Sequence, residues 1–322
     1  MKQAGVVLVA LWAAAAIAAP VIAPHDVDVR FPRLLSAPPT WPHFAASGGL
    51  AIHPWVLVNQ LEQRYEIDAS RDVPLRWFSK GRLVTSGNDE SAPLLLLGAD
   101  SFGHDVFSRL MFGARTSLAL ALASAIGALI LGTAGGGIAG YAGGFIDDAL
   151  MRASDFVIVL PAMYVALALR SVMPLVLPAS TVFALLVSIF AVLGAPFIAR
   201  GVRAIVRSER RLDYAVAAEA LGASATRILV RHLLPATRGY LVVQLTLLVP
   251  AFIVAEATLS YVGLGFPDSI ASWGTMLHDA SANVRVFADF PWLLSPAAAM
   301  FLVVLGLNLA LEGRRTGLES IQ

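Results

Sequence analysis

Long apolar stretches without a charged side chain alternate with short charged stretches along most of the chain. A helix that crosses the hydrocarbon core of a membrane needs about 20 predominantly apolar residues. Six stretches of this kind predict six transmembrane helices, at 3–25, 116–146, 156–169 continuing past Arg170, 171–199 after a turn at Pro174 and Pro178, 239–263 and 290–311. The pattern therefore predicts an all-α integral membrane protein.

The composition supports this class. The 322 residues are 57% hydrophobic and 14% charged, with a mean hydropathy of +0.73. Soluble domains are about 45–50% apolar and about 25% charged. The charge deficit excludes a soluble enzyme and a disordered protein, and a net charge of +1 leaves no basic surface for nucleic acid.

Motifs for chemistry are missing from the sequence. There is no Cys, no phosphate-binding G-x-x-x-x-G-K-[ST] loop and no G-x-S-x-G nucleophile motif. The six His residues are spaced too widely for a metal motif such as HExxH. We therefore predict no catalytic residue, no metal site and no cofactor bound by this chain.

The distribution of positive charge predicts the orientation, because short cytoplasmic loops are rich in Lys and Arg. With the N-terminus inside, Lys2, Arg152, Arg314, Arg315 and the eight Arg of 200–238 are all cytoplasmic. The charges of segment 26–115 do not inform the orientation, since the rule does not apply to loops longer than about 60 residues. Both termini are thus predicted to be cytoplasmic. An alternative for the first span is a signal peptide cleaved near Ala16-Ile17-Ala18.

Segment 26–93 is polar and lies between the first two predicted helices. Residues 75–78 and 81–84 predict a β-hairpin. Its alternating acids and bases are typical of a solvated surface, and they form no catalytic constellation.

Small residues recur every four positions in the second predicted span, at Gly132, Gly136, Gly140 and Gly144. On a helix they form a ridge where another backbone can approach closely. Two interpretations remain open: permanent helix packing, or a surface that slides during a conformational change.

Glu256 is the one carboxylate within a predicted span, with Ser260 one turn away. Such a residue is a functional candidate because its burial in lipid is costly. It either makes a structural hydrogen bond or lines a translocation path. A proton-coupled transporter would need more such groups.

The cytoplasmic loop 200–238 predicts two short helices. Asp213 is a candidate N-cap, Gly222 suits the position after a helix end, Ser224 is a second candidate cap, and Pro235 should stop the second helix. One face of the first helix combines small and larger side chains: Tyr214, Ala217, Ala218 and Leu221. This face suits either a groove on a partner protein or the surface of anionic lipid.

At this loop the sequence resembles a known family. Ala217-Ala218-x-x-x-Gly222 followed by His232-x-Leu234-Pro235 is similar to the cytoplasmic motif of permeases from the dipeptide/oligopeptide/nickel family of ABC importers. Further similar stretches are Gly98–Arg115, Gly143–Asp147 with Met151-Arg152-x-x-Asp155, Glu256–Gly265 and Ser272-Trp273-Gly274. Together they cover about residues 95–322.

The resemblance implies a type I importer fold with a first transmembrane helix at 1–25, an external segment at 26–112, a permease domain at 113–312 and a cytoplasmic tail at 313–322. It implies a bacterial inner-membrane permease forming half of a path for peptides or peptide-like solutes. Implied partners are a second homologous permease, an external solute-binding protein and two ATP-binding subunits that hold ATP and Mg. The implied coupling residues are Tyr214, Ala217, Ala218, Glu219, Leu221, Gly222, His232 and Pro235. A channel or secondary transporter without an ATPase is the alternative.

Three features depart from this family. Val216 occupies the position where the loop motif has Glu, and Glu219 is a candidate substitute on the same helix. His104 stands where Arg is usual. Segment 26–93 is longer than the common form, so a simple transfer of substrate does not follow.

Overall fold

A computed structural model describes residues 2–45, 48–60, 62–89, 91–172, 177–282 and 285–319. The chain divides into two compact units, Met1–Leu118 with Ser260–Gln322, and Ala119–Leu259.

The helices are α1 Lys2–Ile17, α2 Ala19–Ile22, α3 Val106–Ala142, α4 Gly144–Val159, α5 Ala162–Ser171, α6 Ala179–Glu209, α7 Asp213–Ala220, α8 Ala225–Ile228, α9 Arg238–Tyr261, α10 Trp273–Ser281 and α11 Ser295–Glu319. Part of the turn predicted at Pro174 and Pro178 lies outside the described residues, and α6 begins directly after Pro178.

Within the described residues, four helical segments are long and apolar enough to cross a membrane: Val106–Ala142, Ala179–Glu209, Ala225–Tyr261 and Pro291–Ala310. They correspond to the second, fourth, fifth and sixth predicted spans. The first is shorter than predicted, since its apolar helix covers Gln3–Ile17.

The third predicted span is two helices rather than one. α4 ends at Val159, Leu160 is extended with φ −68° and ψ 128°, and α5 starts at Ala162. The cause is Pro161, because a proline ring disfavours helical geometry in the residue before it. A single helix over 156–169 is therefore a wrong prediction.

The first helix packs along the last. A Cβ atom added to Gly5 of α1 would lie 2.6 Å from the carbonyl oxygen of Gly306 and 2.6 Å from the backbone nitrogen of Ala310 in α11. Only a residue without a side chain permits this approach of two backbones.

The described residues between α2 and α3 include six short strands, in addition to the predicted all-α membrane part. They are β1 His43–Phe44, β2 Leu50–Ile52, β3 Trp55–Asn59, β4 Arg64–Ile67, β5 Val73–Ser79 and β6 Arg82–Ser86. One antiparallel sheet has the order β1-β2-β5-β6, and β3 pairs with β4.

The predicted hairpin is confirmed as β5 and β6, with Trp77 opposite Val84. Its two turn residues, Lys80 and Gly81, have φ of 54° and 77°. Two consecutive positive φ angles match the twist of the flanking strands, which is why such turns close hairpins.

The N-terminal end of α10 is held by a capping box and by hydrogen bonds of Trp273. Ser272 and Thr275 form a reciprocal capping box, in which each side chain bonds the backbone of the other. Trp273 is fully buried, its backbone nitrogen donates to Ser117 Oγ at 3.1 Å, and its Nε1 donates to the Leu110 carbonyl at 3.2 Å. These bonds tie the loop before α10 to the start of α3.

Candidate functional site

α7 carries four of the eight predicted coupling residues, and two more, Leu221 and Gly222, follow directly after its last residue. Its N-cap is Leu212, with extended φ −78° and ψ 151°, and no side chain caps the helix. Asp213 is instead the first helical residue, so its predicted capping role is wrong. A carboxylate in the first turn still interacts favourably with the helix dipole.

The helix ends at a turn that depends on Gly222. Gly222 has φ +79°, its backbone nitrogen donates to the Glu219 carbonyl at 2.9 Å, and that of Ala223 donates to the Ala218 carbonyl at 3.1 Å. This pair of bonds is the Schellman arrangement, in which glycine takes the left-handed residue. The predicted role of Gly222 as a helix terminator is confirmed.

One side of α7 packs against the protein and the other is exposed. Ala215 is buried and Ala218 is half-buried against a core cluster formed with α6, α8 and the residues that follow α8: Ile198, Val202, Val206, Ile228 and Leu233. The exposed residues of α7 are Asp213, Tyr214, Val216, Ala217, Glu219 and Ala220, and Leu221 directly after it is also exposed. Three of the four residues predicted to share a docking face are thus exposed together. Ala218 contributes mainly to packing, and Val216 joins the exposed side.

Tyr214 fastens the start of α7 to the end of α6. Its hydroxyl donates to Glu209 Oε2 at 2.5 Å. Partial burial and this bond to a carboxylate raise the pKa of Tyr214 to about 12. The hydroxyl therefore stays a protonated donor at neutral pH.

The second predicted helix of the loop begins as expected, with the Ser224 side chain accepting from the Arg227 backbone nitrogen. It does not stop at Pro235. α8 continues through a π-helical turn at Leu229–Leu233 and a 3₁₀ turn at Leu234–Thr237 into α9. Because proline lacks a donor and clashes with the preceding turn, the chain changes helix type around it instead of ending. His232 is half-buried within the π-helical turn.

Arginines on α6 hold neighbouring elements to it. Arg203 forms an ion pair with Asp147 of α4, and Arg200 forms one with Asp155. The Arg210 guanidinium lies 4.5 Å from the ring centre of Tyr141 and donates to its carbonyl. The sequence identified these arginines only as positive charges that indicate the orientation, and it did not predict their partners.

The predicted glycine ridge packs against α6 at three of its four positions. A Cβ atom at Gly132 would lie 2.6 Å from the Ala195 carbonyl oxygen, one at Gly140 would lie 2.7 Å from that of Arg203, and one at Gly136 would overlap the Ala199 carbonyl. Gly144 has open space around it and lies beyond the end of α3. Its φ of +54°, like that of Gly143 at +67°, instead allows the turn between α3 and α4.

Glu256 lies in α9 and is completely buried, and Ser260 is also buried. Burial of a carboxylate in an apolar helix requires hydrogen-bonding partners. This position agrees with either predicted role, and both remain open.

A buried polar network precedes α3, and the sequence pattern did not reveal it. Asp100 Oδ1 accepts from the backbone nitrogen of His104 at 2.8 Å, and its Oδ2 lies 2.8 Å from His104 Nδ1 and 3.2 Å from Arg109 Nη1. Arg30 Nε donates to His104 Nε2 at 2.9 Å, and Arg109 Nη1 lies 2.8 Å from His104 Nδ1. His104, the residue that departs from the family pattern, thus contacts two arginines and an aspartate.

The same network reaches α10. Arg109 Nη2 donates to the Asp268 carbonyl at 3.2 Å and lies 3.9 Å from Asp279 Oδ2. Although burial opposes it, the His104 hydrogen bond holds the pKa of Asp100 below its usual range. Burial raises the pKa of Asp279 to about 6, against the opposing effect of Arg109. Asp279 is 170 residues from Arg109, so local spacing gave no signal of this contact.

Comparisons with known proteins place these features in a family. Residues 132–318 match the family described as the inner membrane component of binding-protein-dependent transport systems. The match contains the glycine ridge, the α7 turn and α8 to α11. Segment 26–93, with its strands, lies before it.

Several curated relatives align over 223 residues, 69% of this chain. The oligopeptide transport system permease protein of Bacillus subtilis is 35% identical, with 70% of its length covered. The dipeptide transport system permease protein of Alkalihalophilus pseudofirmus is 36% identical over 70% of its length. The glutathione transport system permease protein of Pectobacterium atrosepticum is 33% identical over 71% of its length. These names support an importer permease and give no support to a channel or a secondary transporter.

Proposed function

The chain belongs to the family of inner membrane components of binding-protein-dependent transport systems, and from this premise we propose that the exposed side of α7 is the surface through which partner ATPases drive transport. The chain is a multi-pass membrane permease subunit of an importer, not itself an enzyme. ATP and Mg²⁺ are bound by two partner subunits, and a second homologous permease completes the path.

The observation that supports this proposal is that α7 is held at both ends and has one side exposed to solvent. Leu221 is 88% exposed and Val216 is 53% exposed, whereas Ala215 of the same helix belongs to a buried cluster. The Schellman turn at Gly222 and the Tyr214–Glu209 bond fix both ends of α7. A rigid helix with apolar and small side chains facing outward suits a groove on another protein.

α7 is anchored to α6 rather than to a flexible linker. Ala215 belongs to the same buried cluster as Val202 and Val206 of α6, so a displacement of α7 is expected to move this helix with it. Close packing transmits such a displacement because interiors are dense and nearly incompressible. ATP-driven closure of the partner subunits would thereby tilt the membrane helices.

This assignment includes an orientation. α7 and the ion-paired α4–α6 surface face the cytoplasm of a bacterial inner membrane, both termini are cytoplasmic, and the strand-containing segment 26–112 is external. The excess of Arg in 200–238 supports it. The external face receives the solute-binding protein.

The transported solute is a peptide or a small peptide-like compound. This rests on the names of relatives that transport oligopeptides, dipeptides and glutathione. Selection among these solutes is assigned mainly to the binding protein that delivers them.

Co-purification tests the proposal. The full chain is co-expressed with its candidate permease and ATP-binding partners, extracted in mild detergent and isolated through a tag on this chain. We expect two ATP-binding subunits to be retained. A stable chain that transports solute on its own, without them, would overturn the assignment.

A further inference from the structure

Three potential metal-binding side chains meet at one edge of the β-sheet in segment 26–112. His43 lies in β1, His53 follows β2, and Asp72 precedes β5. In the antiparallel register His43 is opposite Ala51, and Ile52 is opposite Val73. Strand pairing therefore brings the ends of three neighbouring strands together, although up to 29 residues separate these side chains along the chain.

The ligand atoms of these side chains converge. His43 Nε2 lies 2.9 Å and His53 Nδ1 3.2 Å from the same atom, Asp72 Oδ1. The two imidazole rings are stacked, with centres 3.9 Å apart and planes inclined by 21°. One ligand atom from each residue falls within 4.8 Å of the others. The backbone of paired strands holds this arrangement.

Two imidazole nitrogens and one carboxylate oxygen are a donor set suited to Zn²⁺ and related divalent transition metals. Bonds of about 2.0–2.2 Å to such an ion place neighbouring ligands of a tetrahedral site about 3.3–3.6 Å apart. The observed separations from Asp72 Oδ1 are slightly shorter, so an ion could enter by small side-chain rotations.

We propose that His43, His53 and Asp72 form a binding site for one divalent transition metal ion, with Zn²⁺ as its reference ligand. The ion joins the ends of β1, β2 and β5. All three side chains are partly exposed, at 31%, 27% and 40%, which leaves entry and a fourth position to water. The proposal is independent of the transport function assigned above.

The competing arrangement is a hydrogen-bonded cluster without an ion. His53 Nδ1 also lies 3.2 Å from the Arg71 carbonyl oxygen, so a protonated Nδ1 is shared between this oxygen and Asp72. Metal binding requires Nδ1 to lose its proton and both bonds to be replaced. The earlier prediction of no metal site considered only spacing along the sequence, which strand pairing makes irrelevant here.

The test is Zn²⁺ binding by the full chain in detergent, after removal of any His-tag and of bound metal with a chelator. Titration against a fluorescent zinc chelator gives stoichiometry and affinity. We expect one Zn²⁺ per chain. His53→Asn and His43→Gln keep an amide near the position of Nδ1 or Nε2, and we expect each to weaken Zn²⁺ binding at least about 100-fold, beyond the usual loss from an outer-shell change.

Two matched variants control for other effects. Asp68→Asn removes the charge of a half-buried carboxylate in the turn before Asp72, and His278→Gln removes a histidine of α10. Both should retain the wild-type stoichiometry and affinity. Co²⁺ should in addition give visible absorption bands that are lost in His53→Asn. A wild-type chain that binds no Zn²⁺, or binding that His43→Gln and His53→Asn leave unchanged, would overturn the proposal.

Discussion

Asp147, at the start of α4, accepts hydrogen bonds on both carboxylate oxygens from the guanidinium of Arg203 on α6, with Nη2 and Oδ2 2.5 Å apart. Arg207 adds a second cation, its Nη1 3.5 Å from Oδ2. The Asp147 side chain is only 5% exposed. This carboxylate therefore joins the helix after the Gly143–Gly144 turn to the helix that supports α7.

Replacement of Asp147 by Asn should destabilise the folded chain by about 1–3 kcal/mol, because it leaves charged donors of α6 without a carboxylate. Asp155→Asn is the matched control, since Asp155 and Arg200 are both about half exposed and such a pair contributes about 0–1 kcal/mol. Thermal unfolding in detergent measures both. Equal unfolding midpoint temperatures for the two variants would show that the buried Asp147–Arg203 pair contributes no more to stability than the exposed Asp155–Arg200 pair.

The glycine ridge provides a second comparison between adjacent positions. Gly136→Ala would press a Cβ atom into the Ala199 carbonyl, and overpacking of this kind costs about 1–3 kcal/mol. Gly135→Ala meets no atom within 4 Å and gains helix propensity of up to about 1 kcal/mol. We expect reduced thermal stability for the first and unchanged or higher stability for the second. If Gly136→Ala is as stable as Gly135→Ala, α3 and α6 are not in close contact.

The ridge also shows what sequence could predict. Periodic small residues predicted a packing face of a helix, and residues 75–78 and 81–84 predicted a hairpin, because both signals are local. Helix interruptions were less predictable. Pro161 breaks a helix whereas Pro235 does not, since the surrounding chain at Pro235 adopts π and 3₁₀ turns. Asp213 failed as a cap because Leu212 already takes the extended cap conformation.

Contacts between distant segments were beyond such reasoning. Arg109 and Asp279 meet through tertiary structure, and His43 and Asp72 meet through strand register. Sequence spacing does not predict contacts between residues whose distance in space depends on the conformation of the loops between them. The coupling loop was predicted better, since the Gly222 turn and the Ser224 cap are encoded within a few residues.

Asp279 predicts a pH dependence of stability. Its pKa in the folded chain is raised to about 6 from a usual value near 4, so the folded state binds more protons than the unfolded state between these values. Stability from this group is thus fully present below about pH 4 and is lost as pH rises through 6. Asp279→Asn should raise stability at pH 7 by about 1–3 kcal/mol and have little effect near pH 4.

Thermal unfolding of the full chain at pH 4 and pH 7 measures this effect. Asp28→Asn is the control, since the Asp28 side chain is exposed and is not among the groups that shift the pKa of Asp279. The gain at pH 7 should be confined to Asp279→Asn. A loss of stability at pH 7 instead would mean that Arg109 depends on an ionised Asp279.

The exposed side of α7 should tolerate a charge structurally but not functionally. Leu221→Asp places a carboxylate on a side chain that is 88% exposed, so membrane levels should remain normal. In the assembled importer the charge would be buried without a partner, and we expect a loss of coupled transport of at least about tenfold, the equivalent of about 1.4 kcal/mol. Val56→Asp, at an exposed residue of β3, is the control and should transport normally. Normal uptake by Leu221→Asp would mean that no protein covers this residue.

Glu219 gives the sharpest test of how this chain meets its ATPase. Near the C-terminal end of α7 a carboxylate is unfavourable to the helix dipole by roughly 0.3–1 kcal/mol. A pair with Arg227 or Arg231 could offset this, but within the described residues no ion pair joins Glu219 to either. Its side chain is exposed beside Val216, which occupies the position of the family's glutamate. A cation on the partner ATPase is therefore the expected partner of Glu219.

Glu219→Gln keeps the size and helix propensity of the residue and removes only its charge. We expect it to lower retention of the ATPase subunits in co-purification, and Val216→Ala to have a smaller effect, because truncating one member of a desolvated pair leaves the other charge unpaired. Val216→Glu should restore retention when added to Glu219→Gln, since it returns a carboxylate to the same exposed side one turn earlier. Wild-type retention by Glu219→Gln would show that the charge is only solvated. Failure of rescue by Val216→Glu, with retention lost in Glu219→Gln, would show that the partner cation reaches position 219 and not position 216.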